Sequence, residues 1–558
     1  MATERYPDTW EDEGLVSSLR SYAAVLLLLV LTVALASCAE SENADDPGEA
    51  SASTSDVSDD VSDDASADDG EPSELIIAAP RDLAPGQNDP YFTHPTLDVW
   101  ESLVVTDEDW VPQPGLATSW DVSEDRLTWT FELREDVVFS DGTRFDADVV
   151  LANVERNMQI SPASSPFYTF DTDHAYGDLD HVEVVDEFTV AFHHNTPEPS
   201  FPAMISNFYS AMYSPDSFDE DGHFAEFPIA SGPFMVVSHE PDQELVLEAN
   251  PEYHGDGPAS DSVIVRTIPD PNTRVSALRA GEIHGVLDLG AIQPASAREL
   301  VESGEFDESV SPIPITHYIW INAQKEPWDD PRMRHAISMA MDRQQIVDDI
   351  FFGYGIPAGS MLSIVSTEWH DSSIELEEDL DAARELVAEV VGDETIEARL
   401  LVPSFQLDRY PYQAHAEYVQ ARLQLIGIQA EIEVLDGATY NEATAAGEYD
   451  LSVSIRGLAN SEPYLLMRDY LAADGGANQR LNIGFQSDEV DQIFADLREE
   501  WDHDERQRLY HRLQEIVAEE LPMIPLFYEE GIVVHSSDVT GYEIQPTYWV
   551  SLSEAYLR

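Results

Sequence analysis

One cysteine and one lysine occur in the 558-residue sequence, and basic residues of both kinds number 27 against 110 acidic ones. The solitary Cys38 excludes an internal disulfide and a thiolate metal cluster, so the fold must stand on its core. The shortage of bases leaves a formal net charge of -83, a field that repels phosphate backbones and excludes nucleic acid as a partner. Lys325 is the only lysine and the other 26 bases are arginines, a skew that fits a GC-rich genome or a saline habitat. Also missing are a G-x-S-x-G elbow, an H-E-x-x-H pair and a P-loop, so the usual sequence signatures of nucleophilic, zinc and phosphate chemistry are absent. No tandem repeat at periods of roughly 20 to 50 residues is found. What remains is a chain with 43% hydrophobic and 25% charged residues, long enough for two or three domains with large cores.

The apolar run Ala23–Ala36 is too short to span a bilayer comfortably but suits the core of a secretory signal. Leu35-Ala36-Ser37-Cys38 follows, and it resembles the lipobox of bacterial lipoproteins, in which the chain is cut before a cysteine that is then diacylated. The resemblance implies a signal peptide over 1–37, lipidation at Cys38 and anchoring to the outer face of the cytoplasmic membrane. An uncleaved signal anchor is the alternative, and the segment before the apolar run carries more acids than bases, with Arg20 the one well-placed positive charge. From Ala39 to Glu74 there are 14 acids, no base and no aromatic residue, too little apolar surface to order the stretch, which reads as a self-repelling extended tether over 38–74. Subtracting those 14 charges from -83 leaves -69 on the body. Adaptation to salt is expected to explain it, because high ionic strength screens carboxylate repulsion.

Periodicity places strands at Leu75–Ala79, Leu127–Leu133 and Val185–Phe192 in the first half, with a turn at Ser140-Asp141-Gly142. In the second half, helical spacing over Pro331–Phe352, Leu376–Val390 and Asp488–Glu520 alternates with strands at Ala398–Val402 and Ile428–Val434. The class is α/β.

A dozen segments carry a family resemblance. Pro112–Trp120 (PQPGLATSW), Leu127–Arg134 (LTWTFELR) and Val137–Val149 (VVFSDGTRFDADV) come first, followed by Ser231–Phe234, Asn250–Tyr253, Ile268–Arg274 and Leu278–Ile283. Trp320–Asn322, Asp330–Ala336, Ala340–Arg343, Glu505–Tyr510 and Leu521–Leu526 complete the series. In this order and spacing, from about residue 75 to 530, they resemble family 5 extracellular solute-binding proteins, the receptors of ABC importers for peptides, nickel complexes and related solutes. The resemblance implies a two-lobed periplasmic-binding-protein fold with two crossover strands and an extra subdomain in lobe one. Lobe one would comprise 75–315 and 526–558, with the subdomain near 113–228, and lobe two 316–525. The crossovers would fall at His317–Asn322 and Ile524–Tyr528, both β-prone apolar runs. It also implies a monomer that needs no cofactor, closes on its ligand and presents it to a permease driven by ATPase subunits.

Most motif residues read as structural: Trp120, Trp129 and Phe131 as core, and Arg334, Asp342 and Arg343 as ion pairs and caps. Against the family's dipeptide binders, Thr93 matches a ligand-contacting threonine, with an ordinary loop residue as the alternative. Arg409, in Asp408-Arg409-Tyr410-Pro411-Tyr412, resembles the arginine that grips a peptide carboxylate with its planar fork. Here the order is Arg-Tyr-Pro where peptide binders have Arg-Pro-Tyr, and a surface ion pair competes as an explanation. Tyr412 and, in the loop 456–464, Arg456, Glu462 and Tyr464 complete the ligand-facing candidates. Peptide binders carry an aspartate four residues before the proline of this loop to neutralise the ligand ammonium, whereas this chain has Ala459. Either Glu462 takes over that role or the ligand has no ammonium there, since a buried uncompensated cation costs several kcal/mol. Gly475–Asn478 reads as a turn or a ligand-facing segment. Nickel-binding relatives are the rival, with His94 and His415 the available histidines and none between Leu465 and Asn478. An envelope sensor without a transport role is the alternative of another class, and no enzyme activity is expected.

Overall fold

The computed structural model describes residues 73–83, 94–160, 175–392, 394–458 and 461–558. The lipobox with Cys38, the expected tether up to Pro72, Thr93 and Ala459 lie outside the described residues, while Glu74, expected to end the tether, opens the strand Glu74–Ala79. Residues Gly70–Arg558 form one compact unit.

Strict alternation in the LTWTFEL segment turns Trp129, Phe131 and Leu133 inward, with Phe131 fully buried. The strand Thr128–Leu133 is central in a four-stranded antiparallel sheet with Ala117–Val122, Thr189–His194 and Leu179–Asp186. Phe131 meets Phe192 at 5.5 Å and Phe201 at 6.0 Å, both edge to face, contacts worth about 0.5–1.5 kcal/mol each beyond simple burial. The expected single strand over Val185–Phe192 is a hairpin. Asp186 closes the turn by accepting from the Phe188 N–H at 3.0 Å, and the chain returns as Thr189–His194. The Asp141-Gly142 turn forms as expected, with Gly142 at φ 85° and the Asp141 carboxylate accepting from Thr143 N at 2.8 Å.

An eleven-stranded sheet carries the rest of the fold. From one edge run Phe234–Glu240, Glu244–Ala249, Ser262–Thr267, Glu74–Ala79 and Gly285–Val286, all first-half strands apart from the two long ones that follow. Those are Met523–Ser536 and Phe306–Ile321, antiparallel from Phe306↔Ser536 to Trp320↔Met523. Beyond them lie Leu451–Gly457, Ile396–Pro403 and Ile428–Leu435, and the eleventh strand, Gly355–Pro357, pairs with Met523–Ser536 off this path. The two long strands are thus the crossovers, shared by both lobes. Burial on both faces explains their continuous apolar runs: Ile319 and Ile321 enter one lobe-two core with Ile337, Leu400 and Val419, while Tyr318 and Trp320 enter another with Met467, Phe494 and Tyr510.

Several helices begin where an aspartate accepts from their first free N–H groups. The pattern over Pro331–Phe352 forms two helices, Pro331–Ala340 and Arg343–Asp349, because Asp342 caps the second by accepting from Gln345 N. Asp488–Glu520 likewise divides into Asp488–Glu499 and His503–Glu520, with Asp502 as the new cap. Arg334 and Arg343 are buried and satisfied by backbone carbonyls. Arg334 donates to Trp328 O and Asp329 O at 3.0 Å, and Arg343 to Pro525 O at 3.0 Å. A guanidinium has enough forked donors for such sites where a lysine would not.

The lobes touch at several places, one of them built on Trp501 and Arg506. Trp129 stacks on Trp501 at 5.9 Å, Arg126 lies 5.0 Å over the Trp501 ring, and Arg506 donates to Ser200 Oγ at 2.7 Å.

Candidate functional site

Ile396–Pro403 and Leu451–Gly457 are parallel neighbours, so the segments that follow them, 404–412 and 458–464, emerge at the same edge of the sheet. In open α/β sheets that carboxyl edge is where ligands sit. Register carries it to the crossovers, since Thr316 pairs with both Arg456 and Tyr528.

Arg409 follows a tight turn in which its N–H donates to Gln406 O at 3.2 Å. Its stem packs against lobe one at Gly290, where an added Cβ would lie 2.7 Å from Arg409 Cβ and where φ is +66°; both the contact and the conformation require glycine there. Arg409 lines a small cavity with Asp288, Tyr354, Tyr410, Glu529 and Tyr548. Among the described residues nothing accepts a hydrogen bond from its guanidinium, whereas several other arginines are committed, among them Arg81 to Asp288, Arg399 to Glu433 and Arg468 to Asp474.

Behind Arg409 lies a buried chain of polar groups. Tyr410 donates to Glu529 Oε2 at 3.1 Å, His317 Nε2 lies 3.1 Å from the same oxygen, and the Tyr412 hydroxyl lies 3.1 Å from His317 Nδ1. Burial pushes the Glu529 carboxyl up to about 8, opposed by the Tyr410 hydroxyl and the Arg409 charge. Burial also holds His317 well below the usual histidine range. Both groups are therefore neutral near pH 7. Glu529 binds its proton more tightly folded than unfolded, so its stabilisation is complete below the unfolded value near 4.5 and is lost as pH rises through about 8. His317 acts oppositely, and only below its unfolded value. We expect the unfolding free energy of the wild type to fall between pH 7 and 9, and Glu529→Gln to flatten that slope in denaturant titrations. An unchanged slope would sink this assignment.

Tyr412 is fully buried and stacks on Tyr410 at 5.3 Å. It supports the wall from behind and does not face the cavity. Thr93 is outside the described residues, but His94 beside it lies 3.6 Å from Asp288, which brings that chain segment to the Arg409 cavity. Burial lowers His94 to about 3. His415 is buried among His317, Phe351, Tyr412 and Phe527 and is likewise lowered to about 3, so it belongs to the core. Among the described residues no group of three His, Cys, Asp or Glu side chains could hold a metal ion.

Arg456 is exposed at the end of its strand, with its guanidinium 5.7 Å from the Tyr470 ring. Its charge also acts on Tyr318 of the crossover and on Tyr209 of lobe one. Glu462 is committed. Arg506 donates to its carboxylate at 2.6 Å, Tyr510 donates to the same oxygen, and the two ion-pair side chains are each 6% exposed. With its charge satisfied inside lobe two, Glu462 is not free to neutralise a ligand ammonium. Tyr464 opens the helix Tyr464–Leu471 and meets Phe494 edge-on at 5.7 Å. Together with Glu462 it borders a second cavity, of about 370 Å³, whose opposite wall is Asp178, Glu198 and Ser200 from lobe one. Gly475–Asn478 is structural: Asn478 is buried and donates to Ala472 O and Phe485 O at 2.9 and 2.8 Å.

Sequence reasoning missed Glu529, although the signal was available: Glu529-Glu530 interrupts the apolar strand MIPLFYEEGIVV, and an acid inside a buried strand calls for a reason. Glu198 and Arg506 carried no comparable signal.

Comparison with known proteins agrees with this geometry. Residues 111–478 match the family described as bacterial extracellular solute-binding proteins, family 5 middle, and the chain belongs to that family. It is a substrate-binding protein of the ABC importer class and not an enzyme. The glutathione-binding protein GsiB of Salmonella paratyphi A is 28% identical over 493 residues, covering 84% of this chain and 92% of that protein. The corresponding protein of Escherichia coli K12 is 27% identical over 494 residues, with the same coverage. Among solved structures, the periplasmic binding protein DppA of Helicobacter pylori in complex with the peptide STSA is 26% identical, with TM-score 0.70, covering 87% of this chain and 98% of that one. NikA of Brucella suis in complex with Fe(III)-EDTA is 23% identical, with TM-score 0.77 and coverage of 87% and 100%, and shares the fold. Among the described residues no helix is long and apolar enough to cross a membrane.

Proposed function

We propose that this chain is a lipid-anchored receptor that binds di- or oligopeptides between its lobes and delivers them to an ABC permease. The observation that carries this reading is Arg409, a guanidinium with no acceptor among the described residues, held at the carboxyl edge of the sheet against both a crossover strand and lobe one. Such a fork suits a peptide carboxylate at two points. Tyr464 borders the second cavity and Tyr412 holds the wall behind Arg409, while Arg456 and Thr93 are assigned ligand contacts on the family resemblance. The named ligands of the GsiB relatives and of the DppA structure, glutathione and a tetrapeptide, support the peptide class.

The lobe boundaries follow the crossovers: 75–315 with 526–558 for lobe one, its subdomain near 113–228, and 316–525 for lobe two. Cys38 carries the lipid, and two or three acyl chains anchor durably where one would not. Tethering over 38–74 keeps the receptor concentrated near the permease on the outer face of the membrane.

A nickel chelate is the second reading. It is favoured by Ala459 at the place of the usual acid and by the commitment of Glu462 to Arg506. Calorimetric titration of the purified protein with di- to pentapeptides, and separately with nickel plus histidine, separates the two. Heat with peptides supports the first reading, and heat with the nickel mixture alone supports the second.

The acidic body is an adaptation to salt. Screening damps carboxylate repulsion beyond about 10 Å at 0.1 M and beyond about 3 Å at 1 M. The thermal unfolding midpoint is therefore expected to rise by several degrees from low to molar sodium chloride. A midpoint that stays level or falls rejects the adaptation.

A further inference from the structure

The peptide reading leaves one charge unanswered, since Ala459 stands where peptide binders carry the acid for the ligand ammonium and Glu462 is committed to Arg506. The cavity of about 370 Å³ beside Tyr464 is of a size that suits a small ligand group, and its lobe-one wall carries an acid with little compensation. Glu198 is 14% exposed, and its nearest described cation, Arg498, lies at 3.8 Å and is itself 48% exposed. The carboxylate is seated by the backbone: Gly177 has φ +61°, and a Cβ there would lie 2.8 Å from Glu198 Cδ and Oε1. Trp129 fixes the same residue by donating from Nε1 to Glu198 O at 3.0 Å.

The charges lining this cavity do not balance. Glu462 is matched by Arg506, and Arg468 is spent on both oxygens of Asp474 at 2.9 and 2.8 Å. That leaves Glu198 and Asp178 against Arg498 alone. Asp178 accepts from neutral groups, Asn195 Nδ2 at 3.1 Å and Thr196 Oγ1 at 3.4 Å. One cation is lacking, and the aromatic ring of Tyr464 borders the same space.

We infer that Glu198, on the lobe-one wall, is the counter-charge for the α-ammonium of the bound peptide, replacing the acid that lobe two lacks at Ala459. This rests on the peptide reading and assigns its second charged subsite. Burial raises the Glu198 carboxyl, the state expected of an acid waiting for a cation.

The test is calorimetric titration of the full chain with trialanine and with N-acetyl-trialanine. Glu198→Gln keeps an acceptor for the Asp178 N–H, which donates to Glu198 Oε1 at 3.5 Å, and removes the charge. We expect trialanine to bind at least 10-fold more weakly to this variant and the acetylated peptide to bind as it does to the wild type. Arg498→Gln removes the competing cation and is expected to tighten trialanine severalfold. Equal effects of Glu198→Gln on both peptides, or a loss of trialanine binding in Arg498→Gln, overturn the assignment while leaving the peptide reading intact. Wild-type protein that gives no heat with either peptide removes that reading and the Glu198 assignment with it. The unfolding midpoint of each variant identifies any change that comes from misfolding.

Discussion

Arg409→Ala is expected to weaken binding of a free-carboxylate peptide on the order of 100-fold, about 2–4 kcal/mol, the cost of truncating one partner of a desolvated, hydrogen-bonded charge pair. The size of the effect follows from how the side chain is prepared. Its stem is clamped against Gly290, its turn is fixed by Gln406 O, and no described acceptor competes for the guanidinium. A ligand carboxylate would therefore displace no existing ion pair. Arg409→Lys should recover only part of the loss, because an ammonium supplies a point charge without the planar fork. Calorimetry on the two variants checks this, with unfolding midpoints confirming that the fold is kept. Undiminished affinity in Arg409→Ala would place the carboxylate elsewhere, and Arg456 would be the next candidate.

Arg506→Ala is expected to destabilise the protein by about 3–5 kcal/mol, because it leaves the Glu462 carboxylate buried without its cation. More is lost than the ion pair. Arg506 also donates to Leu497 O at 2.6 Å, Glu500 O at 3.0 Å and Ser200 Oγ at 2.7 Å, so it closes the end of one helix and bridges to lobe one. The double variant Glu462→Gln, Arg506→Gln should cost clearly less than Arg506→Ala, since no charge is then stranded. Denaturant unfolding of the variants measures this directly. A loss below about 1 kcal/mol in the single variant would mean that water reaches the pair.

The parts of the fold that local physics decides were legible. Period-two alternation in LTWTFEL needed only its own residues to define a half-buried strand, and the crossover runs were apolar because both faces are covered. Where the expectation differed, a short polar residue made the difference. Asp342 and Asp502 each start a new helix inside a stretch whose apolar spacing reads as continuous, and Asp186 turns one expected strand into a hairpin. Capping acids were abundant in so acidic a chain, so their presence alone did not mark the breaks.

The site was legible in one half only. Arg409 and Arg456 were singled out by the resemblance to peptide binders, Arg409 just after one second-half strand and Arg456 near the end of another. The fate of Glu462 could not, since its partner Arg506 lies 44 residues away and nothing in the intervening sequence links them. Tyr412 read as ligand-facing by its place in the Arg-Tyr-Pro-Tyr run, yet the helix that begins there turns it into the core against His317. The lobe-one wall with Glu198 emerges only when the subdomain folds against lobe two, and no local pattern encodes that contact.

The central claim is that a peptide carboxylate is held by Arg409 between the lobes, and the most direct measurement compares trialanine with its C-terminal amide on the wild-type protein in molar salt. We expect the free acid to bind and the amide to bind about 100-fold more weakly, with that difference vanishing in Arg409→Ala. Equal binding of acid and amide, or heat from nickel plus histidine and from neither peptide, would contradict it.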